Sequence, residues 1–297
     1  MDTFDDTEVE QVGVFLQDRI SITEQLRLIG GIRYSRVEQD KAFTEFGSAL
    51  PLEQDIDTAW TSQLGLLYTP FEDENIAFFA SRTSSFLAVI GSSFGGAALD
   101  PERGTQYEVG VKGRFMDGTV SATIAGFHIT RSDVSVADRN NPGFQLTVGE
   151  QVSKGVEVSV RAKPSDALDI YAAYAYTDSE VTEDEPSRLG KPFRNVPKNT
   201  FAFNISYDLS ESLLEGLSLA ANANYVGSRS GDLENNFTLP SYWRVDASTS
   251  YAITEAIDLR FNVENLFNET YYSHAFSEFE IWRAAPRTWR TSITARF

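Results

Sequence analysis

The chain has 297 residues, 41% of them hydrophobic and 12% aromatic, and 43 Asp and Glu against 25 Lys and Arg give a net charge of −18. This composition excludes wholesale disorder, and without clustered Lys and Arg a nucleic acid partner is not expected, because phosphate binding needs such clusters. The lack of cysteine removes disulfides, thiolate metal sites and cysteine nucleophiles. No run approaches ~18 consecutive apolar residues, so helical membrane spans are excluded; barrel strands, which are short and alternate in polarity, are not. The opening residues 1–11 are acidic and lack the basic and apolar stretches of a signal peptide.

Alternation of apolar and polar residues with period 2 runs through most of the chain, where a helix would need spacing near 3.6. It predicts thirteen strands, at 8–20, 24–39, 55–69, 75–87, 104–115, 119–132, 143–163, 167–180, 197–208, 216–229, 241–253, 256–267 and 286–297. In 119–132 the apolar phase changes near Ala125-Gly126, which predicts a bulge there. In 143–163, Val156, Val158, Val160 and Ala162 oppose Glu157, Ser159 and Arg161. Leu168, Ile170, Ala172, Tyr174 and Tyr176 share a face of the next strand, and Phe201, Phe203, Ile205 and Tyr207 a face of the one after. Trp243, Val245, Ala247, Thr249 and Tyr251 do the same, and 257–264 alternates without a break. Strands of soluble proteins average ~5–6 residues. Most of these are about twice as long, as tilted crossings of a bilayer require.

The connections alternate in length. Those at 21–23, 70–74, 116–118, 164–166, 209–215 and 254–255 are short, and those at 40–54, 88–103, 133–142, 181–196, 230–240 and 268–285 are long. Short turns on one side and long loops on the other are the outer-membrane barrel pattern. Same-face aromatic pairs recur eight residues apart in Trp60/Tyr68, Tyr107/Phe115, Trp243/Tyr251 and Trp289/Phe297. At ~3.3 Å per residue and a tilt of ~45° each pair spans roughly 19 Å, near the ~25 Å apolar band between aromatic girdles. The alternative is an aromatic core face in a soluble sandwich. Strand thirteen follows a long loop and ends on the short-turn side, so strand one runs the same way. Bacterial barrels have even strand counts with both ends on the short-turn side, so the expectation is a C-terminal fragment lacking upstream strands.

No catalytic constellation is present: the chain has no GxSxG, P-loop, GxGxxG or HExxH motif. His128 reads as a barrel-wall residue, and His274, beside Tyr271, Tyr272 and Phe276, as a loop residue open to solvent or to ligand. The acidic run 180–185 lacks the ligand spacing and glycine of a calcium loop, and it reads as a solvated face. Asp258, Arg260 and Glu264 share the polar face with Arg244, Asp246, Arg290 and Arg296, and are expected to pair across strands along the lumen.

Several segments resemble TonB-dependent outer-membrane receptors. Asp100-Pro101-Glu102 with Tyr107-Glu108-Val109-Gly110-Val111-Lys112 is similar to the family's Pro-Glu…Tyr-Glu-x-Gly-x-Lys segment. Ser153-Lys154-Gly155-Val156-Glu157 resembles its Ser-x-Gly-x-Glu strand, and Asn195-Val196-Pro197-Lys198-Asn199-Thr200 its Val-Pro-x-x-Thr return. Asn265-Leu266-Phe267-Asn268-Glu269-Thr270-Tyr271 resembles Asn-Leu-Phe-Asp-x-x-Tyr, and Pro286-Arg287 through Phe297 the terminal strand ending in Phe. Asn141-Pro142-Gly143-Phe144 and 237–242 are most similar to the ferric-siderophore branch.

The resemblance implies an all-β fold: an antiparallel up-and-down transmembrane barrel in which residues 1–297 supply the last thirteen strands of a 22-stranded barrel, without its plug. It implies outer-membrane location in a Gram-negative cell and energy-coupled uptake of a ferric siderophore, with iron carried inside the ligand and no cofactor or protein metal site. Expected partners are the ferric siderophore, the TonB–ExbB–ExbD complex through the region absent from the chain, the barrel-assembly machinery through Phe297, and outer-membrane lipid and lipopolysaccharide. Haem, cobalamin or oligosaccharide uptake and a passive porin-like barrel are the alternatives. Aromatic residues and an occasional Arg in the long loops suit bulky, aromatic, anionic chelates. Phe237, Tyr272, Trp282, His274 and Arg188 are the candidate ligand contacts.

Overall fold

The computed structural model describes residues 4–45, 48–49, 53–73, 75–89, 93–94, 99–138, 141, 144–184, 186–209 and 215–296. The strands are β1 (Phe4–Ser21), β2 (Leu26–Glu45), β3 (Ser48–Ala49), β4 (Glu53–Tyr68), β5 (Ile76–Leu87), β6 (Glu102–Phe115), β7 (Val120–Ala137), β8 (Gln145–Ser165) and β9 (Leu168–Glu183). They continue as β10 (Asn199–Asp208), β11 (Leu217–Val226), β12 (Arg229–Ser230), β13 (Thr238–Leu239), β14 (Tyr242–Thr254), β15 (Ile257–Glu264), β16 (Tyr272–Ser277), β17 (Glu280–Arg283) and β18 (Thr288–Ala295). No helix occurs among the described residues.

Thirteen of these form one antiparallel meander, in the order β1-β2-β4-β5-β6-β7-β8-β9-β10-β11-β14-β15-β18. They are the thirteen strands that the alternation predicts. Every member pairs with its neighbours along this path, and among the described residues neither end of the path pairs with the other. The result is an open curved sheet. Register sets its two faces. One face carries Trp60, Tyr68, Tyr107, Phe115, Trp243, Tyr251 and Trp289, all exposed, with the valines of β8 beside them. This is the surface that lipid covers. The other face is polar and concave, and there the expected lumen ladder forms: Arg296 pairs with Asp258 at 2.9 Å and Arg290 with Glu264 at 3.8 Å. Arg244 instead pairs along its own strand with Asp246, at 2.8 Å.

Two local expectations change. No register shift occurs at Ala125-Gly126; the β7–β8 ladder slips between Arg131 and Ser135, where Asp133 is left-handed at φ 56°. The apolar phase changes at Ala125-Gly126 because Phe127 points inward over a glycine, while the ladder stays regular. The connections expected at 40–54 and 133–142 are shorter, because β2 and β7 continue past the lipid band, whereas those preceding β14 and β18 are longer. Beyond that band both faces meet water, so polarity no longer alternates although the ladder does. At the opposite end, Met116, Asp117 and Gly118 take φ of 55°, 55° and 87°, the left-handed twist of a tight hairpin turn.

Candidate ligand-binding site

Buried apolar residues gather where the long connections meet. Leu239, Tyr271 and Ala275 are buried there, with Ala275 only 1% exposed. Three connections converge, those preceding β10, β14 and β18, and the last is folded into the β16–β17 hairpin. Polar contacts bind this hairpin to its neighbours. Asn195 and Ala275 exchange a reciprocal pair, Nδ2 to carbonyl at 2.8 Å and amide N–H to Oδ1 at 3.0 Å. Arg229 Nη2 donates to the carbonyls of Tyr272 and Ser273 at 2.6 and 3.1 Å. Arg194 lies 4.3 Å over the Phe276 ring and donates to its carbonyl at 3.2 Å.

The candidates predicted from sequence divide into two groups. His274 and Trp282 stack face to face, with ring centroids 4.4 Å apart and planes 13° apart, and both are exposed on the hairpin. Tyr272 opens the same hairpin, and its carbonyl is held by Arg229. These three are brought together. Phe237 packs within its own connection, its ring on Gly231, where any Cβ would collide with it. Arg188 is buried at 8% exposure between Asp184, at 3.5 Å, and Glu234, at 3.2 Å, so it ties two connections together. Phe297 lies outside the described residues. His128 sits on the lipid-facing wall, opposite Tyr107 and Lys154.

Sequence reasoning passed over Arg229. It is 5% exposed, its Nη1 has no hydrogen-bond partner, and its guanidinium lies 5.7 Å from the Tyr242 ring centre. Burial lowers its pKa from the usual guanidinium value. Tyr242 in turn stacks on Tyr271 at 4.3 Å. An arginine three residues before Asp232 and five before Glu234 carries no sequence signal of burial. Beside this cluster a cavity of about 410 Å³ lies between Arg131, Gln151, Arg188, Phe193 and Arg194. A second, of about 490 Å³, lies on the concave inner face among Phe79, Glu108, Lys112, Glu157 and Tyr171. Among the described residues no three His, Asp or Glu side chains gather to hold a metal ion. The arrangement offers the exposed ring faces of His274 and Trp282 to a ligand, on a hairpin held from behind by the buried Arg229.

Residues 1–266 match the family described as TonB dependent receptor-like, beta-barrel. The chain belongs to this family of TonB-dependent receptors. Its place is the outer membrane of a Gram-negative cell. It is 35% identical over 294 residues to the metal-pseudopaline receptor CntO of Pseudomonas aeruginosa, covering 98% of this chain and 41% of that protein. It is 30% identical over 268 residues to the ferrioxamine B receptor of Salmonella typhimurium, covering 89% and 37%. The crystal structure of the siderophore receptor PiuA from Acinetobacter baumannii superposes with a TM-score of 0.84 at 26% identity, covering 98% of this chain and 44% of that one. The chain thus spans about two fifths of the length of the curated relatives it matches.

Proposed function

We propose that these residues are the C-terminal portion of the barrel domain of a receptor that imports a ferric siderophore across the outer membrane. Import is coupled to TonB, ExbB and ExbD through parts of the receptor outside these residues, the chain is not an enzyme, and the iron stays inside the chelate. The observation that carries this reading is the cluster of ring faces and the buried Arg229 at the long-connection end of a TonB-dependent barrel. A loaded siderophore is bulky and often anionic. At a net charge of −18 long-range attraction is weak, so recognition rests on local stacking and charge-assisted hydrogen bonds.

The test uses the full-length receptor carrying alanine at Phe237, Tyr272 and Trp282, with ferric siderophore binding measured against surface expression. Removing Trp282, whose ring stacks on His274, is expected to weaken binding about ten-fold, the scale of one stacking contact. Unchanged affinity at normal expression would place recognition elsewhere. The 35% identity to a metal-pseudopaline receptor supports a second reading, in which the chelated metal is not iron. Titrating one receptor preparation with iron-loaded siderophores and with other metal chelates decides between the two.

A further inference from the structure

On β2 and β4 the concave face is covered toward the long-connection end. Ser35, Val37, Gln39 and Ala59 are all buried there, Gln39 to 1% exposure. The connection that follows β5 reaches this patch, where its Val89 carbonyl accepts from Gln39 Nε2 at 3.4 Å. Register fixes which other side chains share the patch. Gln39 stands directly opposite Asp55 and Val37 opposite Asp57, on a ladder that runs unbroken from Leu26 and Tyr68 to Lys41 and Glu53. Asp55 and Asp57 therefore lie on the same face as Gln39.

Two oxygen atoms of the patch are left over. Gln39 Oε1 and Asp55 Oδ2 are shut off from solvent and accept no hydrogen bond among the described residues. Because the Val89 carbonyl takes the Nε2 end of the Gln39 amide, Oε1 is the end that remains. Directly opposed residues have Cβ atoms ~4.5–5.5 Å apart and diagonal ones ~7–8 Å, so the Gln39 amide oxygen and both carboxylates reach one common space. Burying an acceptor unpaired is costly, a carboxylate more so, and two carboxylates side by side also repel. Carboxylate and amide oxygens without nitrogen or sulfur are the donor set that hard divalent cations take.

We propose that Gln39, Asp55 and Asp57 bind a calcium ion, which clamps the connection after β5 to the inner wall. Calcium takes about 6–8 oxygen ligands, so backbone carbonyls and water complete the set. Magnesium demands near-ideal octahedral geometry and gives up water reluctantly, whereas two strands hold these three donors at unequal reach, which calcium tolerates. The place suits the ion. It lies at the long-connection end, which faces the cell exterior in such barrels, and extracellular calcium sites work at ~10⁻⁴–10⁻³ M. Only two carboxylates contribute, so the patch is not a cluster of three acidic or histidine side chains. The site stands whatever chelate the receptor carries, and it departs from the expectation of a barrel that holds metal only inside its ligand.

The experiment titrates the full-length receptor, refolded in detergent and stripped with chelator, with calcium chloride and separately with magnesium chloride, by calorimetry. One equivalent of calcium is expected to bind at ~10⁻⁴–10⁻³ M, about ten-fold tighter than magnesium. Asp55→Asn, shown folded by heat-modifiable migration, is expected to weaken calcium about ten-fold or more, and Gln39→Glu to retain it, because affinity follows ligand charge. Calcium at ten times its dissociation constant is expected to slow amide exchange at Val89 about ten-fold in the unaltered receptor and not in Asp55→Asn. In chelator, Asp55→Asn is expected to melt no lower than the unaltered receptor, since it removes a buried charge that no metal then balances. A lower midpoint there would mean that the protein itself satisfies the carboxylate, and would overturn the proposal. So would the absence of a calcium equivalent, equal affinity for magnesium, or unchanged calcium affinity in Asp55→Asn.

Discussion

Gly155 and Gly126 sit on adjacent strands and face opposite sides of the sheet, and they make opposite demands. Gly155 is on the concave face, where a Cβ would collide with the Tyr176 carbonyl and come within 2.8 Å of the Phe127 ring. Gly126, on the lipid face, has room for one. Gly155→Ala is therefore expected to destabilise the barrel by ~1–3 kcal/mol, the usual cost of overpacking, and Gly126→Ala to change stability by less than ~0.5 kcal/mol. Thermal melting of heat-modifiable migration in the full-length receptor checks both, and equal midpoints for the two variants would contradict the packing argument. The same residue type thus marks close approach at one position and open space at the other.

At the scale of elements, hydrogen bonds between side chain and backbone hold the connections together. Asn265 is 2% exposed and left-handed at φ 54°; its amide donates to the carbonyls of Glu269 and Ala285 and accepts from the Glu269 N–H. Its own N–H is held by Asp246 at 2.8 Å. Asparagine tolerates this backbone conformation and supplies both donor and acceptor, which explains the Asn-Leu-Phe-Asn turn in physical terms. The β16–β17 hairpin is pinned in the same manner by Asn195. Asn195→Ala leaves the buried Ala275 N–H and carbonyl unpaired, at a cost of ~1–3 kcal/mol. Amide exchange at Ala275 is expected to accelerate by about ten-fold or more, while exchange at Val245 on β14 stays unchanged. Uniform acceleration would show that the hairpin is not a separate unit.

Across the whole molecule, β1 and β18 form the edges of the sheet. Each presents unpaired backbone groups on one side, which in hydrocarbon cost several kcal/mol apiece. These 297 residues refolded alone in detergent are expected to give oligomers or aggregates, with no heat-modifiable monomer. A monodisperse, heat-modifiable monomer, measured by light scattering and gel shift, would mean that the edges find each other and that the sheet closes. The same sheet superposes over 98% of the chain on the siderophore receptor PiuA, of whose chain it covers 44%.

The meander was legible because period-2 alternation has one physical cause, a wall with lipid on one side and water on the other. Where that cause operates, from Ile20 on β1 to Ile293 on β18, the alternation locates each of the thirteen strands to within a few residues. The short connections, such as Met116-Asp117-Gly118, were legible as brief gaps between alternating segments, and the structure closes that one with a tight left-handed turn. The sequence also placed aromatic residues in the connections, but not which of them would meet. Past the lipid band both faces are wet, so nothing in the pattern marks where β2 or β7 ends. Likewise Arg188 and Arg229 look alike in the sequence. Only the tertiary structure seats one between two carboxylates and buries the other under Tyr242 without any, because partners 43 to 46 positions apart are chosen by packing and not by local pattern.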